Sequence, residues 1–401
     1  MINPVFYSIE LSLLTWILTG LSVLCALLLM WLWAGRARRV WRKSAADSKE
    51  DLPEGGYPSV SVIVTAHGEG RNLAMLLPAI LEQDYPGETE VIVVTDEGAG
   101  ATADVVGALQ LQHPNLYMTY VPDDARNLSR RKLCITLGVK AARYDYVVLT
   151  EGNCRIQSPL WLSSMMRHAV DGAEVILGYA CDVDAAKGDD ARRSSRGARL
   201  RNFDRVWNAV RWLGAAIAGH PYRGCAANLA YKRRLFFDHK GFSKSLNLIY
   251  GDDDLFVNEI ADKHNCAVEL SPASRVDVLR TMPRYMHTME RRMREFTASM
   301  LPKAPRIAMG FCSLLWWVWL GTAVAAGYMG YPSLVPVAVV VVVGVAMLVS
   351  VSRQWRKCCV ALGASPQLWS VPFMALWHPF YNLRYKWSAK RHRKHNYTNM
   401  V

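Results

Sequence analysis

Charge is missing from two long stretches of this 401-residue chain: no side chain from Leu11 to Gly35 is charged, and none from Ile307 to Ser352. An apolar helix of about 20 residues crosses a bilayer. The first stretch is therefore expected to make one span and the second two, folded back where Gly327 to Pro332 interrupt the pattern. No basic residue precedes Leu11, and Trp31 and Trp33 stand where a cleavage site would need small residues, which favours a retained anchor over a signal peptide. Cysteine pairs are also missing. Of nine cysteines none forms a C-x-x-C pair and only Cys358 and Cys359 are adjacent, which excludes a zinc framework and leaves no obvious disulfide set. Internal repeats and low-complexity tracts are absent too.

What is present is positive charge in particular places. Lys and Arg number 47 against 34 Asp and Glu, a formal charge of +13. It gathers beside the apolar stretches, at Arg36, Arg38, Arg39, Arg42 and Lys43, at Arg353, Arg356 and Lys357, and in the tail from Arg384 to Lys394. Basic residues flank the cytoplasmic side of a span, so the large middle region is expected to be cytoplasmic. The same pattern suits anionic lipid headgroups, which makes membrane lipids the expected partner and a nucleic acid unnecessary. The expected organisation is an anchor over 1–35, a basic and polar linker over 36–57, a cytoplasmic domain over 58–304, a transmembrane hairpin over 305–352 and a basic, partly interfacial segment over 353–401. Within the last, Pro366 to Leu383 carries three prolines and His378, and is expected to be interfacial or re-entrant in preference to a fourth span.

The middle region alternates short β-branched runs, Ser59 to Ala66, Glu90 to Thr95, Leu116 to Val121, Tyr146 to Thr150 and Glu174 to Tyr179, with helical patterns such as Asn72 to Gln83 and Arg130 to Arg143. Such alternation predicts an α/β domain with a mainly parallel sheet covered by helices on both faces. Ligands gather beyond the carboxyl ends of such strands. The first strand ends in His67, Gly68 and Glu69, the second in Asp96 and Glu97, the third in Asp123 and Asp124, and the fourth in Glu151 and Asn153. Loops are polar in any protein, but polar residues are scarce at the opposite strand ends, so this rim is the expected site.

Downstream, Ser158 and Pro159 predict a capped helix start leading through Trp161 and Met165. Leu200, Phe203, Val206, Trp207, Val210 and Leu213 recur at helical spacing with Arg199, Arg201, Arg205 and Arg211 between them. That is an amphipathic helix, lying either on the membrane surface or with its apolar face on the domain core. Gly224 to Leu229 is a run of small residues that lets backbone approach a ligand closely. Gly251 to Leu255 reads GDDDL and opens a helix. Acids at a helix start are ordinary dipole partners. Three together raise one another's pKa, which brings one towards the range of a general base.

The order of these segments resembles a membrane-anchored family 2 glycosyltransferase of the GT-A fold. The turn Thr65, Ala66, His67, Gly68, Glu69 corresponds to that family's first-strand turn, and Thr95, Asp96, Glu97 to its second-strand acidic end. The resemblance places Glu69 and Asp96 at the nucleoside, and Lys132, ahead of Ile135 and Gly138 and just after Arg130 and Arg131, along the donor pocket. The family's metal motif falls on Glu151, Gly152, Asn153 and Cys154, implying a divalent cation, Mn or Mg, on Glu151 and Asn153. Glutamate supplies a carboxylate there, whereas asparagine offers only a neutral carbonyl, a weaker ligand for a hard cation. The small-residue run containing Asn228 corresponds to an edge of the acceptor site. Asp253 corresponds to the general base, with Asp252 and Asp254 orienting it or the acceptor. The family's last motif falls on Met289 to Met293, where only Arg292 survives as a partner for the diphosphate.

The implied activity is inverting transfer of a sugar from a nucleoside-diphosphate sugar, expected to be a UDP-sugar, to a lipid-linked or exported glycan. The rival reading is a catalytically weak or inactive homologue that binds nucleotide-sugar or serves as a membrane scaffold.

Overall fold

Val60, Val62, Ile63 and Val64 are all wholly buried, although neighbouring residues of a strand point to opposite faces. In the computed structural model, which describes residues 13–96, 100–122, 129–184, 196–246, 248–280, 284–331, 333–365 and 371–391, both faces of this strand are covered. Strand β1 (Val60–Ala66) lies between β2 (Thr89–Thr95) and β4 (Tyr146–Glu151), parallel to both, and β3 (Leu116–Tyr120) pairs in parallel with β2. Beyond β4 the direction reverses. β8 (Leu229–Lys232) runs antiparallel to β4 and to β6 (Val175–Leu177), and β9 (Cys266–Val268) is parallel to β6. The strand order is β3-β2-β1-β4-β8-β6-β9, a mainly parallel seven-stranded sheet in a mixed α/β domain. A second sheet, ordered β5 (Cys154–Ile156), β10 (Val276–Arg280), β7 (Ala180–Asp184), packs beside it.

Helices α2 (Gly70–Leu81), α3 (Ala101–Gln110) and α4 (Arg130–Ala141) connect the parallel strands. Ser129 starts α4 by accepting the Lys132 backbone N–H, and Gly138 brings α4 so close to β1 that Ile63 leaves no room for a Cβ. The helix expected from Ser158 begins two residues later, as α5 (Trp161–Val170). Ser158 and Pro159 form the turn before it, where the Ser158 hydroxyl accepts the Leu160 N–H at 3.1 Å.

The amphipathic segment is α6 (Arg196–Ala216), and its apolar residues Phe203, Val206, Trp207, Val210 and Leu213 are buried among helices. The membrane-surface alternative is thereby replaced by packing. Trp207 stacks on Trp33 with ring centroids 3.9 Å apart, and Gly214 lies against the backbone of Arg36. Trp33 and Arg36 belong to α1 (Leu13–Asp47), which does not break at Gly35; the basic segment expected to be a linker continues the helix to Asp47. Short helices α7 (Arg233–Asp238) and α8 (Leu255–Ile260) precede α9 (Arg284–Ala298), α10 (Lys303–Gly330), α11 (Leu334–Ala361) and α12 (Val371–Arg391). Among the described residues, three helices are long and apolar enough to cross a membrane, Leu13–Asp47, Gly310–Gly330 and Leu334–Ala361. α12, which includes most of the segment expected to be interfacial, is not among them. Glu97, Asp123 and Asp124 lie outside the described residues.

Candidate active site

A cavity of about 840 Å³, counting the solvent at its mouth, opens at the carboxyl end of β4. Five arginines line it, Arg131, Arg205, Arg223, Arg291 and Arg294, interleaved with five acids, Glu151, Asp182, Asp204, Asp253 and Glu290. The small residues Gly224, Cys225, Ala226 and Ala227 form part of its wall, as their lack of bulk suggested.

The acidic triplet divides into three roles by geometry. Gly251 turns the chain with φ +118°, a region favoured by glycine, and so delivers three buried carboxylates in succession. Asp252 accepts from Arg131 Nε at 2.7 Å. Asp253 faces the cavity, where its Oδ2 accepts from Arg294 Nη1 at 3.0 Å and its Oδ1 is buried without a hydrogen-bond partner among the described residues. Asp254 is spent on structure: Oδ1 caps α8 by accepting the Leu255 N–H at 2.7 Å, and Oδ2 accepts from Thr297 Oγ1 at 2.6 Å.

The packed triplet was expected to raise the pKa of the candidate base, and here the neighbours reverse the sign. Burial pushes Asp253 up, but Arg294, Arg223 and Arg131 outweigh it and hold its carboxyl below the usual range. Burial, then the charge of Asp253, instead push Asp254 up.

Glu151 ends β4 and accepts from Arg131 Nη2 at 2.7 Å, so one guanidinium bridges the strand end and the triplet. Burial works against charge on Arg131, yet Asp252, Glu151 and Asp253 raise its pKa well above the ordinary value and keep it protonated. The neighbouring Asn153 is not among the residues lining the cavity. Its main-chain carbonyl accepts from Leu279 N at 2.8 Å, tying the loop to β10. A divalent cation therefore meets a poor ligand set here: one carboxylate already held by a guanidinium and one neutral amide outside the cavity wall. Among the described residues, the acid and histidine side chains that gather with ligand atoms within 4.8 Å are Asp47, His168 and Glu269, a possible acidic metal site away from this cavity.

Other expected ligands take different places. Lys132 is fully buried behind the triplet, where Nζ donates to the Ser245 carbonyl at 2.5 Å and the Tyr250 carbonyl at 2.9 Å; burial pushes its pKa down to about 8. It braces the loop that leads to Gly251, and the cavity-facing cation beside it is Arg131. Asn228 joins the two sheets, accepting from Trp161 Nε1 at 3.1 Å and donating to the Ser274 and Tyr179 carbonyls at 2.8 and 3.1 Å. Arg292 is not among the lining residues either, whereas Arg291 and Arg294, three apart on one face of α9, are. The three-residue spacing of Arg291 and Arg294 was the signal that a motif aligned on Arg292 passed over. Arg223, beside the small-residue run, carried no pattern in sequence; its Nε is buried without an acceptor among the described residues.

Glu69 and Asp96 meet through His67. Glu69 Oε2 accepts the His67 N–H, Asp96 Oδ1 pairs with His67 Nδ1, and the Asp96 carbonyl accepts from Arg130 at 2.8 Å. Burial, partly countered by His67, raises the Glu69 pKa. These two residues keep their strand-end positions on the adjoining part of the rim.

Asn228→Leu is expected to lower the thermal midpoint while leaving the Michaelis constant for donor unchanged. It orphans the Trp161 donor and two carbonyls at about 1–3 kcal/mol for each group left unsatisfied. A raised donor constant at unchanged stability would restore Asn228 as a ligand.

A family model described as Glycosyl transferase family 21 matches residues 16–389. No curated protein matches the chain. Among solved structures, a mannosyltransferase from Pyrobaculum calidifontis in complex with GDP-Man and Mn2+ is similar over 89% of this chain and 99% of that chain, at a TM-score of 0.50 and 19% identity. That likeness is one of fold.

Proposed function

The chain belongs to glycosyl transferase family 21 and is a glycosyltransferase, and we propose that it transfers a sugar, with inversion, from a nucleoside-diphosphate sugar to a hydroxyl of a lipid-linked or exported glycan at the membrane. The motifs resemble family 2, whereas the family model that matches is family 21; what the two readings share is a glycosyltransferase. The observation that carries the reading is Asp253 Oδ1, a buried acceptor without a partner among the described residues, in a cavity lined by five arginines. A buried unpaired carboxylate oxygen is costly unless a ligand completes it.

In the proposed step the acceptor hydroxyl attacks the anomeric carbon as its proton passes to Asp253 Oδ1. The bond from that carbon to the diphosphate breaks, and its electron pair stays on the diphosphate oxygen. Arg294 holds Asp253 Oδ2 and fixes the direction of the free oxygen. Guanidinium groups match phosphate oxygens in geometry and charge, so Arg131, Arg223 and Arg294 are the residues proposed to receive the diphosphate. Glu69 and Asp96 are proposed for the nucleoside end. A divalent cation, Mn or Mg, fits Glu151 and Asn153 poorly.

A UDP-sugar is the donor expected from the motifs, and the GDP-Man bound by the Pyrobaculum enzyme adds GDP-sugars to the set worth testing. The basic residues after the first span favour a cytoplasmic catalytic domain. Purified full-length chain in detergent, given UDP- and GDP-sugars with membrane lipid extract, is expected to transfer or slowly hydrolyse one donor. Nucleotide binding without transfer or hydrolysis of any donor would support the scaffold reading instead.

A further inference from the structure

We propose that the Arg131 guanidinium takes the place of a divalent cation in this chain, so that the leaving diphosphate is stabilised by protein charge and transfer proceeds without metal. The inference rests on the proposed transfer reaction and adds to it the means by which departure is assisted.

Three observations carry it. First, the position is filled: Arg131 donates from Nη2 to Glu151 and from Nε to Asp252, both at 2.7 Å. A cation bound to Glu151 would have to break that pair and sit against a guanidinium that stays charged. Second, the other ligands are taken or weak: Asp182, Asp204, Asp253 and Glu290, which also line the cavity, pair with Arg205, Arg291 or Arg294. Asn153 lacks a charge and does not line the cavity, whereas hard divalent cations select anionic oxygens. Third, the guanidinium has an end to spare. With Nε and Nη2 committed to carboxylates, Nη1 has no hydrogen-bond partner among the described residues and is the edge left for a phosphate oxygen. Glu151 and Asp252 aim that edge, which is the preorganisation that makes a fixed charge effective as negative charge develops.

The chemistry balances without a co-reactant. One bond to the anomeric carbon forms as the other breaks, the proton goes to Asp253, and the departing oxygen's charge is met by Arg131.

The test uses the full chain in detergent with metal stripped from all buffers. Transfer in EDTA is expected within about twofold of transfer with Mn2+ or Mg2+, and the affinity for UDP and GDP, read by calorimetry, is expected to differ by less than about tenfold between EDTA and Mn2+. Activity lost in EDTA and restored by Mn2+ overturns the inference while leaving the transferase reading intact. A nucleotide affinity that Mn2+ raises by more than about tenfold overturns it as well, even where no transfer is detected. Arg131→Ala is expected to cost about 10²–10³-fold in kcat, the range for removing a preorganised donor, with Arg131→Lys recovering part of it. An Arg131→Ala protein that is folded and fully active also overturns the proposal. If that variant does not fold, the metal titration of the unaltered protein decides.

Discussion

Asp253→Asn is expected to lower transfer by about 10²–10⁴-fold, the usual contribution of a positioned general base, while nucleoside-diphosphate binding stays level or tightens. The opposite signs follow from the cavity's charge. Five arginines are interleaved with five acids, and the substitution would remove one negative charge from beside Arg294, Arg223 and Arg131 while the amide keeps an oxygen for Arg294 to donate to. Single-turnover transfer beside calorimetric titration with UDP and GDP separates the two effects. Equal loss of binding and turnover would make Asp253 a structural counter-ion and not a base.

The same charges fix the pH dependence. Because the arginines hold Asp253 below the usual carboxylate range, it is ionised wherever the enzyme is normally assayed. The acid limb of kcat/KM is therefore expected below about pH 4, the ordinary carboxylate value. Diphosphate oxygens compete for Arg294, Arg223 and Arg131, so the carboxyl loses part of that support in the donor complex and its pKa rises. The acid limb of kcat, which reports the complex, is accordingly expected at higher pH than that of kcat/KM. Coincident limbs would mean that the arginines are not shared between base and donor.

The parallel half of the fold was legible because its signals are local. Buried β-branched runs bounded by polar ends mark β1, β2 and β4, and charge-free stretches mark the three apolar helices. The antiparallel strand β8 was not, since Leu229 to Lys232 is four residues long and gives no periodicity to read. Beside the cavity, Glu151 and the acidic triplet were conspicuous in sequence because they stand at element ends. Their division of labour was not, because it depends on which side chains approach from elsewhere: Thr297 and Arg294 arrive from a helix about forty residues downstream in sequence. The misplaced arginine on α9 has a similar cause. A motif fixes a residue by spacing within a template, whereas the cavity selects by helix face, and Arg291 and Arg294 share a face that Arg292 leaves.

Arg167→Ala is expected to destabilise the protein by about 3–5 kcal/mol, the cost of removing one member of a buried ion-pair network. The residue lies in the last turn of α5, 3% exposed, and clips the end of α1 to the catalytic domain. Its Nη2 lies 3.0 Å from Asp47 Oδ1 and 2.7 Å from Glu269 Oε2, Nη1 donates to the Asp47 carbonyl at 3.0 Å, and His168 Nε2 meets the same Glu269 oxygen at 3.0 Å. Asp47 also accepts the Leu270 N–H at 2.9 Å. With the guanidinium removed, two buried carboxylates face each other with only Lys43 left on Asp47 at 2.6 Å and His168 on Glu269 at 3.0 Å, and the energetic penalty comes from the charge these leave undercompensated more than from the lost bonds. The double variant Arg167→Ala with Asp47→Asn is therefore expected to be more stable than Arg167→Ala alone, since it removes one of the two charges while keeping an oxygen for Leu270. Thermal unfolding in detergent, read beside limited proteolysis between Asp47 and Val60, measures both. A double variant no better than the single would show that Arg167 acts through packing. Because α1 is continuous from its apolar stretch to Asp47, this network is one of several ties between that helix and the sheet-bearing domain, beside the Trp33–Trp207 stack, so the loss is expected to appear as looser docking of the end of α1 and not as loss of the whole contact.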